Sequence, residues 1–180
     1  MNIIEIIIIS ISLAMDAFAV AICKGLSMKK NYKNSIIIAI YFGIFQAIMP
    51  LIGCFFGNFL YGIEKIDHLI ALILLSIIGI GMILESKDNK ELDDKIDIKT
   101  MVFLSIATSI DALLVGVTFS FLDVNIILPV ILIGIITFFI SFIGALIGSK
   151  VGVKYGNKAI LVGGILLIMM GIKIFIEHTT

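Results

Sequence analysis

The sequence predicts an all-α, polytopic membrane protein with six transmembrane helices, organised as two inverted three-helix repeats. Three observations predict this fold class: the composition, six apolar runs of membrane-spanning length, and a short motif that occurs in both halves around an aspartate. Of the 180 residues, 61% are hydrophobic and 14% are charged. A soluble domain carries about 25% charged residues, because it needs polar surface. The excess of apolar side chains therefore indicates a chain that lies largely in lipid.

The six apolar runs are predicted to be transmembrane helices. A helix that crosses the hydrocarbon core needs about 20 mostly apolar residues. The runs are too long and too uniformly apolar for the alternating pattern of a membrane barrel strand, so helices are the expected form. The six predicted helices cover residues 3–24, 35–56, 68–85, 100–121, 125–149 and 158–177.

The connections between these runs are short, except for the charged segment 86–100. This segment divides the chain into a first three-helix repeat (1–86), a charged cytoplasmic linker (87–99) and a second three-helix repeat (100–180). The two repeats together form one transmembrane domain. The acidic residues of the linker are interpreted as a solvated charge run, and attraction of cytoplasmic cations is the alternative interpretation.

The lysines predict the orientation of the chain in the membrane. All thirteen basic residues are lysines, and eleven of them lie in loops one, three and five. Cytoplasmic loops carry an excess of Lys and Arg, so these three loops are expected in the cytoplasm and both termini outside. The lysines of the three loops are Lys24, Lys29, Lys30 and Lys33, then Lys87, Lys90, Lys95 and Lys99, then Lys150, Lys154 and Lys158.

The two halves contain similar motifs in the same order. SLAMDAFAV (12–20) aligns with ATSIDALLV (107–115), which sets Asp16 over Asp111. Because each half holds three helices, the second half enters the membrane in the opposite direction. Many secondary transporters have this architecture, with the substrate site near the midplane. Chance similarity between apolar helices is the alternative. Further aligned positions are Gln46 with Thr137, Pro50 with Ser141, Gly53 and Gly57 with Gly144 and Gly148, and residues 79–85 with 171–177.

Asp16 and Asp111 are the main candidates for a metal site. With a rise of about 1.5 Å per residue, both lie near the middle of their predicted helices. A carboxylate at the bilayer centre costs about 3 kcal/mol on insertion scales, so it rarely faces lipid. A divalent cation between the two acids would neutralise both, and two protons could replace it. The alternative is a pair of protonated acids that donate hydrogen bonds between helices.

Three polar residues are weaker candidate ligands. Ser12 and Thr108 lie about one turn before the aspartates, and Gln46 is the one amide deep in the second helix. Carboxylate, amide and hydroxyl oxygens suit Mg²⁺, Ca²⁺ or Mn²⁺ better than Cu²⁺ or Zn²⁺. Met15 or Met49 could add a softer contact, although a methionine of the core is the simpler interpretation.

Three charged residues near the helix ends could act in gating or as counter-charges. Lys173 is the one base inside a predicted helix, and it could also pair with Glu177 or extend to the interface. Glu85 and Glu177 are most simply solvated helix ends. His68 and His178 lie at membrane edges, so a histidine metal site is not expected.

Five motifs resemble the small bacterial manganese efflux pump family, within the lysine-exporter transporter superfamily, over essentially the whole chain. The resemblance implies six helices, a location in the bacterial cytoplasmic (inner) membrane and export of Mn²⁺. It also implies that the intramembrane acids of the family correspond to Asp16 and Asp111. Some members have an acid at the position of Gln46 and a base at the position of Gly81. The motifs are MDAFAVAICKG (15–25), FGIFQAIMPLIG (42–53), MILE (82–85), ATSIDALLVGV (107–117) and VNII (124–127).

The residues and the resemblance together predict a secondary transporter that exports Mn²⁺, with other divalent cations as further possible substrates. The predicted site lies at the midplane on the paired aspartates, and proton exchange is a possible source of energy. The alternative is a membrane substrate-binding module of an ATP-driven transporter. An enzyme is not expected, because the sequence lacks G-x-S-x-G, H-E-x-x-H and a glycine-rich phosphate loop. The expected partners are a divalent metal ion and the lipid bilayer, with no nucleic acid. No cofactor is expected, and Mn²⁺ is the transported substrate.

Overall fold

A computed structural model of the chain describes residues 3–29, 31–56, 67–87, 96–121 and 125–179. The described residues form six helices, as predicted from the apolar runs, and the all-α fold class is confirmed. In chain order the helices are α1 (Ile3–Leu26), α2 (Tyr32–Phe55), α3 (Asp67–Lys87), α4 (Ile98–Phe121), α5 (Ile127–Tyr155) and α6 (Asn157–Thr179). Most of the predicted linker, residues 88–95, lies outside the described residues.

The helices are those of a polytopic membrane protein. Among the described residues, α1, α2, α4 and α5 each contain a stretch long and apolar enough to cross a membrane, and α3 contains a shorter apolar stretch, Leu72–Leu84. The outer surface is also apolar, since Ile8, Phe139 and Ile176 are more than half exposed. Exposure of such apolar side chains to water costs free energy, whereas their contact with lipid does not.

One predicted helix end is wrong. The fifth helix was expected to end at Ser149, where lysines become frequent, but α5 continues to Tyr155. It ends at Gly156, which has φ of 55° and donates its backbone N–H to the carbonyl of Gly152 at 2.7 Å. Glycine adopts this left-handed conformation without the cost that a side chain imposes. The fifth loop is thus one residue long, and its lysines lie on the ends of α5 and α6.

The fourth helix begins two residues before its predicted start, because Asp97 caps it. The carboxylate of Asp97 accepts hydrogen bonds from the hydroxyl of Thr100 at 2.5 Å and from its backbone N–H at 2.9 Å. These bonds lower the pKa of Asp97 below its usual value, and the bond from the hydroxyl has the larger effect. A charged cap at this position accepts a hydrogen bond from a free N–H of the first turn. Its negative charge also interacts favourably with the positive end of the helix dipole.

The two halves of the chain are packed into each other. α1 packs chiefly against α5, α2 against α4 and α5, and α3 against α6. Glycines let these backbones touch: a Cβ on Gly53 of α2 would overlap the carbonyl of Leu113 on α4, and a Cβ on Gly116 would overlap Pro50. Close helix contacts through small residues are typical of membrane proteins, because there is no hydrophobic driving force between helices in lipid.

Several of these contacts correspond under the alignment of the two halves. Gly53 meets Leu113, and their aligned partners Gly144 and Phe18 also meet, with the Cβ position of Gly144 2.8 Å from the carbonyl oxygen of Phe18. In the same way, Gly43 and Gly134 are aligned with each other and each approaches the carbonyl of the other. A chain built from two repeats would show such pairs of equivalent contacts between its halves. The inverted orientation of the two halves stays a prediction.

Candidate functional site

Asp16 and Asp111 line one cavity of about 630 Å³ between α1, α4 and α6. Both aspartates are half-buried. The sequence suggested that the two acids share a site, and the structure places them in the same cavity although they are far apart in the chain. Among the described residues, those that line the cavity are Met15, Asp16, Ala19, Ile22, Cys23, Asp111, Leu166, Met169, Met170 and Lys173.

The helical periods of α1 and α6 explain this lining. On α1, Asp16, Ala19 and Cys23 follow each other at three- and four-residue steps, which places them on one face. The neighbouring face of α1 carries buried Ala17 and Ala21. The Cβ of Ala21 lies 3.3 Å from the Cβ position of Gly144 on α5, which brings α5 against that face. Asp16 is thereby held on the side of α1 that faces the cavity.

On α6, the lining residues also recur at three- and four-residue steps, from Leu166 through Met169 and Met170 to Lys173. Lys173 is therefore in the cavity with both carboxylates, as one of the predicted counter-charge positions. Glu85 and Glu177, the other two, lie on α3 and α6, but their side chains are outside what the structure describes.

Gln46 lies beside the cavity and connects three helices, and its predicted role as a ligand stays a prediction. Its side chain is fully buried, and its Nε2 donates to the carbonyl of Thr108 at 2.8 Å and to that of Leu13 at 3.4 Å. These carbonyls precede Asp111 and Asp16 by three residues each. The amide thus joins α2 to α4 and α1 one turn from both aspartates. Gln46 is not among the described residues that line the cavity.

The two hydroxyl candidates are also outside the cavity lining. Thr108 is buried, and its hydroxyl donates to the carbonyl of Leu104 on its own helix at 3.0 Å. Ser12 lies exposed on α1, one turn beyond the end of the cavity. The structure therefore brings together the two main candidates, Asp16 and Asp111, but none of the three weaker ones.

The cavity also contains residues that the sequence did not single out. These residues are Cys23, Met169 and Met170, and they line the cavity with Met15, which the sequence did indicate as a possible softer contact. The α6 residues could have been found from the helical spacing of three and four residues that leads back from Lys173, if that lysine is assumed to face the acids. In the described part of the chain, no group of three or more His, Cys, Asp or Glu side chains is placed to hold a metal. A cation in this cavity would therefore complete its coordination with water or with other donors.

The joining role of Gln46 can be tested by substitution. Gln46→Leu keeps the side-chain size but removes both hydrogen bonds, each of which contributes about 1 kcal/mol to stability. The substitution also removes a buried Oε1 that has no partner among the described residues, which offsets part of this loss. We therefore expect a small fall in the temperature of unfolding but a larger loss of function, because α1 and α4 lose their common anchor. Unfolding in detergent and transport are measured together. Thr118→Val, which removes a hydroxyl bond on the exposed side of α4, is the matched control. Equal loss in both variants would contradict this role.

Comparison with known proteins gives a consistent result. Residues 28–175 match a family model described as "Putative manganese efflux pump". Three curated relatives carry that name with the suffix MntP. The protein of Acetivibrio thermocellus is 54% identical over 99% of this chain and 92% of its own length. That of Desulfitobacterium hafniense is 51% identical over 97% and 94%, and that of Campylobacter jejuni is 53% identical over 99% and 98%. No solved structure matches the chain.

Proposed function

We propose, from the fact that the chain belongs to the manganese efflux pump family, that it is a secondary transporter that exports Mn²⁺ across the cytoplasmic membrane. Membership in the family confirms the resemblance inferred from the motifs. The observation that supports the site is the common cavity of Asp16 and Asp111. The names of the relatives support manganese and the outward direction.

Two carboxylates on one cavity account for cation binding and release. When both are charged they repel each other, and a low-dielectric surrounding strengthens that repulsion. A divalent cation between them removes the repulsion, and so do protons on the carboxylates. Exchange of Mn²⁺ for protons at Asp16 and Asp111 is therefore the mechanism that we propose. The energy would come from the proton gradient.

Lys173 is proposed as the counter-charge of this exchange. Its ammonium shares the cavity with the two carboxylates, so the three groups carry one net negative charge when all are ionised. An arriving Mn²⁺ raises the local charge by two and repels the ammonium. The flexible lysine chain on the exposed side of α6 can move away from the cation without a change of the fold. Gating roles of Glu85 and Glu177 remain part of the proposal, at the ends of α3 and α6.

The proposed orientation places the lysine-rich loops one, three and five in the cytoplasm and both termini outside. The support is the asymmetry of the lysines, eleven of which lie in these three loops or on the helix ends that flank them. Mn²⁺ would then enter the cavity from the side of Lys24 and leave on the side of the N-terminus of α1.

Transport by the purified chain tests this function. The protein is reconstituted in liposomes that contain a manganese-sensitive dye, with no nucleotide present. We expect Mn²⁺ uptake, faster when the vesicle interior is more acidic than the exterior, because outward protons drive inward Mn²⁺. The double variant Asp16→Asn, Asp111→Asn in equal amount is the control. Binding of Mn²⁺ without any flux would contradict the secondary mechanism and favour the membrane module of an ATP-driven transporter.

A further inference from the structure

Sulfur is concentrated on the wall of the cavity that holds the two aspartates. The chain has eight methionines and two cysteines among 180 residues. Four of these ten sulfur residues are among the described residues that line the cavity: Met15, Cys23, Met169 and Met170. Two of them come from α1 and two from α6, so sulfur is present on two walls of the cavity.

Two methionines of the cavity, Met15 and Met169, differ from those of the core, whereas Met170 is partly buried and packs against the core. Met28, Met82 and Met101 are at most 5% exposed and fill space between helices. In contrast, Met15 is 51% exposed and Met169 is 59% exposed. Packing of a buried core does not account for these two positions, and Met15 directly precedes Asp16.

A site made of carboxylates alone would discriminate poorly between Mn²⁺ and Mg²⁺, because carboxylate and carbonyl oxygens suit both ions. Mg²⁺ binds oxygen ligands, demands near-octahedral geometry and gives up its water reluctantly. Thioether sulfur is a soft ligand that gives Mg²⁺ little, and transition metals accept it more readily. Sulfur beside the two carboxylates therefore penalises the removal of water from Mg²⁺ more than from Mn²⁺.

We propose that Met15, Met169 and Met170 are specificity-determining residues, which favour Mn²⁺ over Mg²⁺ at the cavity of Asp16 and Asp111. This inference rests on the proposed function, because it assigns the selectivity of the same site. Cys23, which is almost fully buried, is a fourth sulfur in the lining of this cavity. A direct consequence is that soft divalent cations such as Cd²⁺ compete with Mn²⁺ better than Mg²⁺ does.

Replacement of the three methionines by leucine tests the selectivity. Leucine has a similar volume and no sulfur, so the shape of the cavity is largely kept. Mn²⁺ flux into liposomes is measured against increasing Mg²⁺ and, separately, increasing Cd²⁺, and each series is normalised to its own flux without competitor. In the triple variant we expect half-inhibition at about tenfold less Mg²⁺, the lower end of what loss of a metal-site partner costs. We expect half-inhibition by Cd²⁺ at a higher concentration than in the unchanged protein.

Met101→Leu is the matched control, since Met101 is fully buried in the core away from the cavity. Its half-inhibition values are expected to equal those of the unchanged protein. Unaltered Mg²⁺ and Cd²⁺ values in the triple variant would overturn the proposal, as would the same shift in Met101→Leu. If the triple variant does not purify as a folded protein, Met15→Leu, Met169→Leu and Met170→Leu are measured singly, and three unshifted values overturn the proposal.

Failure of the proposed function gives a different result. Equilibrium binding is measured in detergent from the electron paramagnetic resonance signal of free Mn²⁺, with Mg²⁺ as competitor. A protein that binds Mn²⁺ but does not transport it contradicts the secondary mechanism. The role of sulfur is still supported if less Mg²⁺ displaces half of the bound Mn²⁺ from the triple variant than from the unchanged protein. An unchanged protein that binds Mg²⁺ as tightly as Mn²⁺ overturns the role of sulfur, whatever it transports.

Discussion

Replacing either Asp16 or Asp111 by asparagine is expected to abolish Mn²⁺ export while the six helices stay folded. Asparagine has the shape of aspartate but no charge, so the cation loses half of the negative charge that the cavity offers. Loss of even an indirect partner of a metal site costs about 10- to 100-fold in affinity or activity, and we expect a direct partner to cost at least as much. We expect the fold to be kept, because asparagine has the size of aspartate and the substitution removes a charge that is costly in a membrane-spanning segment.

The measurement is cellular manganese in a strain that lacks other manganese exporters, with each variant produced at the same level. Asp97→Asn is the matched control, because Asp97 is an aspartate of the same chain that caps α4 outside the cavity. That control is expected to keep export. If both acids bind one ion, as proposed, we also expect the double variant to be no worse than either single variant. Full export by both single variants would refute the paired-carboxylate site.

Placing a methyl group on Gly53 or Gly116 is expected to prevent the helices α2 and α4 from packing. A Cβ at either position would overlap backbone atoms of the other helix, at Leu113 or at Pro50, and a backbone cannot turn away as a side chain can. Overpacking of this kind costs about 1–3 kcal/mol and occasionally more, and the rigid neighbours put both positions at the upper end. The cavity would be lost with the packing, because Asp111 lies on α4 two residues before Leu113.

Gly81→Ala is the control for this prediction. A Cβ on Gly81, which is exposed on α3, meets no atom of the described residues within 4 Å. Alanine also favours helix by about 1 kcal/mol relative to glycine, so this variant is expected to be as stable as the unchanged protein or slightly more so. The temperature of unfolding in detergent and the yield of monodisperse protein compare the three variants. Stable Gly53→Ala and Gly116→Ala proteins would show that α2 and α4 are less tightly packed than described.

The positions of the helices and the two main acids follow from local properties of the chain. Apolar runs of spanning length locate all six helices, because length and hydropathy decide which segments can enter lipid. Asp16 and Asp111 stand out for a related reason, since a carboxylate in such a run needs a partner. The end of α5 was misplaced because Lys150 and Lys154 indicate the membrane surface, whereas the helix itself ends only at Gly156.

The weaker candidates show where local reasoning stops. The Nε2 of Gln46 donates to two carbonyls, a contact that the sequence does not show, and the role of Gln46 as a ligand stays a prediction. Thr108 bonds to its own helix, as hydroxyls in helices often do. Ser12 shares a stripe with Asp16, but the cavity extends from Asp16 in the other direction along α1. In each case the outcome depends on what lies opposite the side chain.

By itself, the sequence determined the membrane environment, the number and approximate positions of the helices, and the two aspartates as the centre of interest. These features depend on the free energy of each segment in lipid, which is a local quantity. The tertiary structure alone decided that Asp16 and Asp111 share a cavity, that α6 lines it with Lys173 and two methionines, and that Gln46 joins helices. Which face of a helix meets which neighbour is set by how closely backbones approach at glycines such as Gly53 and Gly116, and that is a property of pairs of helices distant in the chain.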